Sequence, residues 1–345
     1  MTTIKTLPLT DFLHADWDRF VTAHPHGSPF HLLAWKRTIE ETFGYKPFYL
    51  VATEGDSIRG VLPLFLVTNL LVKRALISSP FAVYGGILAD SPEALESLRD
   101  AVALLGAELG VQYVELRNGH TEQCAGFTGI SRYVTFTRPV ADDEAGLLSS
   151  LPRKMRYMVR KALKEPFSTR IAADPSAFLR LYADSLQRLG TPSFPARYFD
   201  CLLKHFRGNA DIRETVWNGR TVATVLSFYF RDQVLPYYGA SDPEFNACAP
   251  NNFMYYDLMR WAGQSGYGCF DFGRSKKDSG GSYDFKSHWG MAERSLPYEM
   301  LLLKRTSLPN YSPTNPAFRV PRLIWQHLPG AITRMAGPAL IRLVP

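Results

Sequence analysis

With 345 residues, 46% of them hydrophobic and 13% aromatic, the chain is long enough for two ordinary domains and apolar enough for a real core, which excludes a disordered or fibrous protein. The net charge of +7 is unevenly placed: after Glu299 there is no Asp or Glu, while Lys304, Arg305, Arg319, Arg322, Arg334 and Arg342 remain. An acidic partner is therefore expected for the tail and not for the whole body. The cysteines (Cys124, Cys201, Cys248, Cys269) form no CxxC pair, there is no basic-then-apolar leader, and the apolar run Val61–Val72 is too short to span a bilayer. Those features point to a reduced, cytoplasmic protein.

In chain order, Phe30 to Phe43 has helical spacing, Pro47 to Ala52 reads as a strand, Glu54–Ser57 as a turn, and Ile58 to Val67 as a second strand. Pro92 to Leu109 is an Ala/Leu-rich helix ended by Gly110, and Val111 to Arg117 a further strand. The second half repeats that order. Ile212 to Trp217 and Thr221 to Phe230 are strands joined by Asn218-Gly219, a strong hairpin signal. Val234 to Tyr238 follows, then a helix from Asn252 to Ser265 closed by Gly266, then a strand from Cys269 to Phe272. Met254, Leu258 and Trp261 on that helix read as core packing.

Between the halves, Leu151 to Lys164 places Met155, Val159 and Ala162 on one stripe and surrounds them with Arg153, Lys154, Arg156, Arg160, Lys161 and Lys164. Such a helix is either a solvated basic face or a phosphate-binding surface. The densest chemistry lies later. The strand Cys269–Phe272 stops at Gly273 and runs into Arg274, Ser275, Lys276 and Lys277; Tyr283-Asp-Phe-Lys286 then delivers another cation. Glycines and cations at a strand end suit an anion, and Phe270, Phe272, Tyr283, Phe285 and Trp289 suit a lined cleft.

Transfer of an acyl group to an amine needs an oxyanion stabiliser and a proton acceptor. Lys286, with Arg274 and Lys276, fits the first role or the donor phosphate. Asp271 is either a proton acceptor or a loop-capping carboxylate that holds Arg274. Tyr238 either donates to the oxyanion or is a buried, satisfied tyrosine. His288, between Ser287 and Trp289, reads as a packing residue. His24, His26 and His31 cluster, but without Cys or acids at ligand spacing no metal site is expected.

Taken together, Ser28 to Trp35, Leu151-Pro-Arg-Lys154 with its basic helix, Tyr237-Tyr-Gly-Ala-Ser-Asp242, Ala249-Pro-Asn-Asn-Phe253, Asp271-Phe-Gly-Arg274 and Tyr283-Asp-Phe-Lys286 resemble the FemAB-like branch of the GNAT-fold transferases. Within it, the chain is most similar to the FemAB-like proteins that accompany exosortase/PEP-CTERM exopolysaccharide systems, a likeness that extends into the tail. The resemblance implies an α/β (α+β) fold of two GNAT-like units packed side by side, residues 1–145 and 146–305, with the active site in the second, and a basic helical tail over 306–345. FemAB-type enzymes move an aminoacyl group from aminoacyl-tRNA to an amine of a peptidoglycan precursor, and their Phe-Lys pair helps place the donor; here that pair is Phe285-Lys286. Trp35, Tyr283, Arg153, Lys154, Arg156 and Asn252 are the further substrate-binding residues expected.

No tightly bound cofactor is expected, and the donor is either aminoacyl-tRNA or acyl-CoA. Typical acetyl-CoA enzymes cradle the pyrophosphate in a Gly-rich loop opening a helix. The equivalent Phe245–Asn252 contains no glycine, and Pro250 supplies no N–H, which leaves the Asn252 and Phe253 amides for that task. Three functions follow: an acyl- or aminoacyltransferase acting on an amine of a cell-envelope or exopolysaccharide precursor, an acetyl-CoA-dependent N-acetyltransferase of a nucleotide- or lipid-linked sugar, or a non-catalytic GNAT-like adaptor. In the tail, Phe318, Leu323, Ile324, Trp325 and Leu328 share a broad helical face broken at Pro329-Gly330. That face packs on the protein's own body or rests on the anionic inner membrane. The oligomeric state is left open.

Overall fold

The structure, a computed structural model, describes residues 4–120, 126–141, 143–277, 281–310 and 315–345. Cys124 and Gly280 lie outside the described residues. The chain divides into two compact units: residues 1–133, 295–311 and 339–345 in one, and 134–294 with 312–338 in the other.

The first unit contains β1 (Lys5–Pro8), α1 (His14–Ala23), α2 (Leu33–Phe43), β2 (Lys46–Pro47), β3 (Leu50–Glu54), β4 (Ser57–Leu62), β5 (Phe65–Asn69), β6 (Lys73–Ile77), β7 (Leu88–Ala89), α3 (Pro92–Glu108) and β8 (Tyr113–Leu116). β1, β3, β4 and β7 form one antiparallel sheet; β2, β5 and β6 run antiparallel and β6 pairs in parallel with β8. The stretch expected as one strand, Ile58–Val67, is two, broken at Pro63, whose ring nitrogen cannot donate to a ladder. The expected helix Phe30–Phe43 begins as a short 3-10 turn, Pro29–His31, and becomes α-helical at Leu33. Ser91 caps α3 by accepting from the Ala94 amide, Pro92 opens it, and Leu98 and Val102 fill the core.

The second unit begins within β9 (Thr128–Pro139) and continues through α4 (Glu144–Ser150), α5 (Arg153–Ala162), β10 (Phe167–Ile171), α6 (Ser176–Leu189), α7 (Ala196–His205), β11 (Ala210–Trp217), β12 (Arg220–Phe230) and β13 (Gln233–Ser241). There follow α8 (Pro250–Gln264), β14 (Cys269–Asp271), β15 (Ser275–Lys276), α9 (Gly281–Ser287), the start of β16 (Ala292–Leu302), α10 (Arg319–His327) and α11 (Gly330–Leu340). Its strands lie in the order β10-β11-β12-β13-β14-β9. All neighbours are antiparallel except β13 and β14. Asn218 and Gly219 take positive φ (47° and 82°), as a two-residue type I′ hairpin requires, and join β11 to β12. α8 buries Met254 and Leu258, while Trp261 is half-buried with the Arg213 guanidinium 3.5 Å from its ring centre.

Candidate active site

Two irregularities in the sheet create the site. β13 and β14 pair over only Gln233↔Cys269 and Val234↔Phe270 and then separate. Just beyond, β12 pairs Ser227 with Pro236 and Leu226 with Tyr238, which leaves Tyr237 as the extra residue of a β-bulge. The Asp242 amide donates to the Val222 carbonyl on β12 at 2.8 Å. Alternation along an antiparallel ladder therefore turns the Gly239 and Ser241 backbone groups the other way, into the wedge. Arg188 reaches the Ser241 carbonyl from that side at 3.2 Å.

The floor of the wedge is aromatic. Tyr255 of α8 packs on Phe272 (5.0 Å), Phe285 (5.5 Å) and Trp289 (6.2 Å between ring centres). Its hydroxyl lies where a side chain on residue 239 would stand: a Cβ there would be 2.4 Å from it. Burial pushes the Tyr255 hydroxyl up to about 12, so it stays protonated at neutral pH and can donate. The Gly239 amide and the Tyr255 hydroxyl thus form a pair of neutral donors able to receive an oxyanion.

On the opposite side, β14 ends in a loop that three groups hold in place. Asp271 is buried; its Oδ1 accepts from Thr135 Oγ1 at 2.6 Å and from the Gly273 amide at 2.8 Å. The bond to the Gly273 amide ties the start of this loop to Asp271, where the sequence suggested either a proton acceptor or a cap holding Arg274. Gly273 has φ +64°, a conformation glycine adopts without cost, and faces the Tyr237 ring. Lys286 of α9 donates from Nζ to the carbonyls of Phe272 (2.7 Å), Gly273 (3.2 Å) and Arg274 (3.1 Å). An ammonium has three hydrogens, and all three are engaged. Lys286 therefore positions the loop in this state instead of offering a free charge to an oxyanion or phosphate. Burial lowers its pKa to about 8, opposed by nearby Asp271.

Phe285, next to Lys286 in sequence, packs on Phe272 and Tyr255. Tyr283 turns its hydroxyl to Glu293 at 2.6 Å and its ring to Phe136. Arg274 and Lys276 flank the loop and are half-buried. The remaining expected residues fall elsewhere. Tyr238 is buried in a cluster with Tyr182, Phe194, Tyr198 and Phe199; its hydroxyl pairs with that of Tyr198 at 2.8 Å, and burial holds its pKa well above the ordinary value. The bulge gives the wedge to its neighbour Tyr237.

The Asn252 and Phe253 amides both return to the Ala249 carbonyl (3.0 and 3.2 Å), and the Asn252 side chain donates to the Met155 sulfur, so the two amides expected to meet a pyrophosphate are engaged within the helix. Arg156 donates to the Ser149 and Leu151 carbonyls at the end of α4, whereas Arg153 and Lys154 are exposed. Trp35 is fully buried in the first unit against Phe30, with no surface for a ligand. His31 is likewise buried, bonded to Ser28 and the Gly86 carbonyl, and burial lowers its pKa to about 3. Among the described residues no group of His, Cys, Asp and Glu could hold a metal ion. Nor, among them, is any helix long and apolar enough to cross a membrane. Tyr255 and Thr135 carried no signal in the sequence; Tyr237 lay in the Tyr237–Asp242 motif, whose second tyrosine, Tyr238, takes the buried, satisfied place that was one of its two expected readings.

Residues 149–287, less than half of the chain, match the family model described as an acetyltransferase (GNAT) domain. Among solved structures, FemX superposes with a TM-score of 0.70 at 18% identity, covering 87% of this chain and 98% of its own. L-PGS from Bacillus licheniformis reaches 0.56 at 12% identity over 94% and 96%. A tandem GNAT protein from the clavulanic acid biosynthesis pathway reaches 0.56 at 9% identity over 87% and 98%. No curated protein matches the chain in sequence. The expected α/β GNAT fold is the one present, and the chain carries a GNAT-type acyltransferase domain.

Proposed function

We propose that the second unit transfers an aminoacyl or other acyl group to an amine of a cell-envelope or exopolysaccharide precursor, with the exosortase/PEP-CTERM setting of the resemblance as its context. The observation that carries this reading is the wedge between β13 and β14, where the Gly239 amide and the Tyr255 hydroxyl face a loop fixed by Asp271 and Lys286. In this reading the acyl carbonyl lies in the wedge, the two donors receive its developing charge, and exposed Arg153 and Lys154 meet the phosphates of donor or acceptor.

Donors of such domains are acyl-CoA or aminoacyl-tRNA. Engagement of the Asn252 and Phe253 amides on the Ala249 carbonyl removes them from a pyrophosphate, which favours aminoacyl-tRNA. The domain match to acetyltransferases favours the second reading, an acetyl-CoA-dependent N-acetyltransferase of a nucleotide- or lipid-linked sugar. Mass spectrometry of ligand retained by the purified protein separates them. Aminoacyl-tRNA without CoA supports the first reading, and CoA alone replaces it with the second. A retained glycan without turnover on either donor would make the protein an adaptor.

A further inference from the structure

The two tail helices are amphipathic in the inverse sense. Their inward face is mostly polar. Arg322 donates to the Leu189 carbonyl (3.2 Å), Gln326 to that of Arg188 (2.8 Å), and Thr333 to Gln187 Oε1 (3.0 Å), while Arg334 pairs with Asp184 (3.2 Å). Gly337 comes so close to Ser193 that a Cβ would lie 2.6 Å from the hydroxyl oxygen. Trp325 is the one large apolar group of α10 turned inward, with its indole N–H on the Thr191 carbonyl. The outward side carries Val320 (63% exposed), Leu323 (48%) and Ile324 (58%) at helical spacing on α10, and Ile332 (42%) and Met335 (80%) on α11. A helix that meets only its own protein and water turns this stripe the other way.

The expected face of Phe318, Leu323, Ile324, Trp325 and Leu328 is therefore divided. The body takes Trp325 and leaves Leu323 and Ile324 uncovered. Leu189, at the α6 end where Arg322 lands, extends the uncovered surface at 60% exposure. Charge supplies the identity of what covers it. The described tail, residues 315–345, carries no acidic side chain; Arg322 and Arg334 are turned to the body, and Arg319 is exposed beside Val320 on the uncovered side.

We propose that this face docks peripherally on an anionic lipid surface. Val320, Leu323, Ile324, Ile332 and Met335 enter the boundary between headgroups and acyl chains, and Arg319 stays among the headgroup phosphates. Docking deepens the reading of the catalytic unit, on which it rests only for the nature of the acceptor: it favours a lipid-linked precursor. Sedimentation with vesicles of mixed phosphatidylglycerol and phosphatidylcholine tests it on the full chain. The protein pellets with these vesicles at low salt and far less with phosphatidylcholine alone. The double variant Leu323→Asp, Met335→Asp loses about tenfold or more in bound fraction while keeping its melting temperature and its turnover on a soluble acceptor. Protein left in the supernatant with both vesicle types overturns the proposal. So does concentration-dependent self-association abolished by the same double variant, which would make the face a contact between two copies. Because turnover on a soluble acceptor is measured separately, failure of docking is distinct from failure of the transferase reading.

Discussion

Substituting Gly239 by Ala tests whether the Tyr255 hydroxyl belongs to the machinery of the wedge. The new Cβ would lie 2.4 Å from that oxygen and 3.5 Å from the ring carbon bearing it. Ordinary contact begins near 3.4 Å, so the hydroxyl must retreat by roughly 1 Å. The ring cannot slide freely, because Phe272, Phe285 and Trp289 pack around it. A displacement of about 1 Å at a reacting centre costs on the order of 100-fold in turnover. The assay is transfer of the donor that the protein retains, with a thermal melt to establish that the fold persists. Removal of the hydroxyl supplies the control. In a Tyr255→Phe background the ring carbon at 3.5 Å is an ordinary neighbour, so adding Gly239→Ala costs almost nothing further. Wild-type turnover in Gly239→Ala, or an equal loss in both backgrounds, would refute the assignment.

Lys286→Met should lower turnover on the order of 100-fold, the cost of misplacing a reacting centre by about 1 Å, through release of the Phe272–Arg274 loop. Lys286→Arg should recover only part, because a planar fork cannot reach three carbonyls as an ammonium does. If the charged form is the working one, wild-type activity falls as pH rises through about 8, the value to which burial lowers this lysine, and a pH–rate profile reads that limb directly. Thr135→Val removes a donor to the buried Asp271 Oδ1 and should cost about 1.5–3 kcal/mol, measured by urea denaturation. Reversing Arg153 and Lys154 to Glu, leaving Arg156 to cap α4, should weaken donor binding and flatten its salt dependence; an unchanged slope would leave α5 as a solvated face.

Much of the second unit is legible in its sequence because local chemistry and final structure agree. Asn218-Gly219 demands a tight hairpin, the stripe Met155–Val159–Ala162 buries as spaced, and Gly273 ends a strand where its positive φ is needed. The site is less legible because it depends on pairing. A period-two reading of Tyr237-Tyr238 does not anticipate the bulge opposite Leu226 and Ser227 that exchanges their roles. Lys286 stands out as a cation, but its use depends on three backbone oxygens that no motif records. Thr135, the partner of Asp271, lies far away in sequence on β9, a strand with mixed polar and apolar residues. The tail pattern identifies amphipathic helices without deciding which face turns inward, and polar partners on α6 make that choice.

Hydrogen–deuterium exchange of the protein with and without its retained donor, aminoacyl-tRNA or CoA, tests whether the wedge between β13 and β14 receives the acyl group. With the donor bound, exchange should slow in residues 237–241 and 271–276 together. Protection confined to other segments, with these two unchanged, would contradict it.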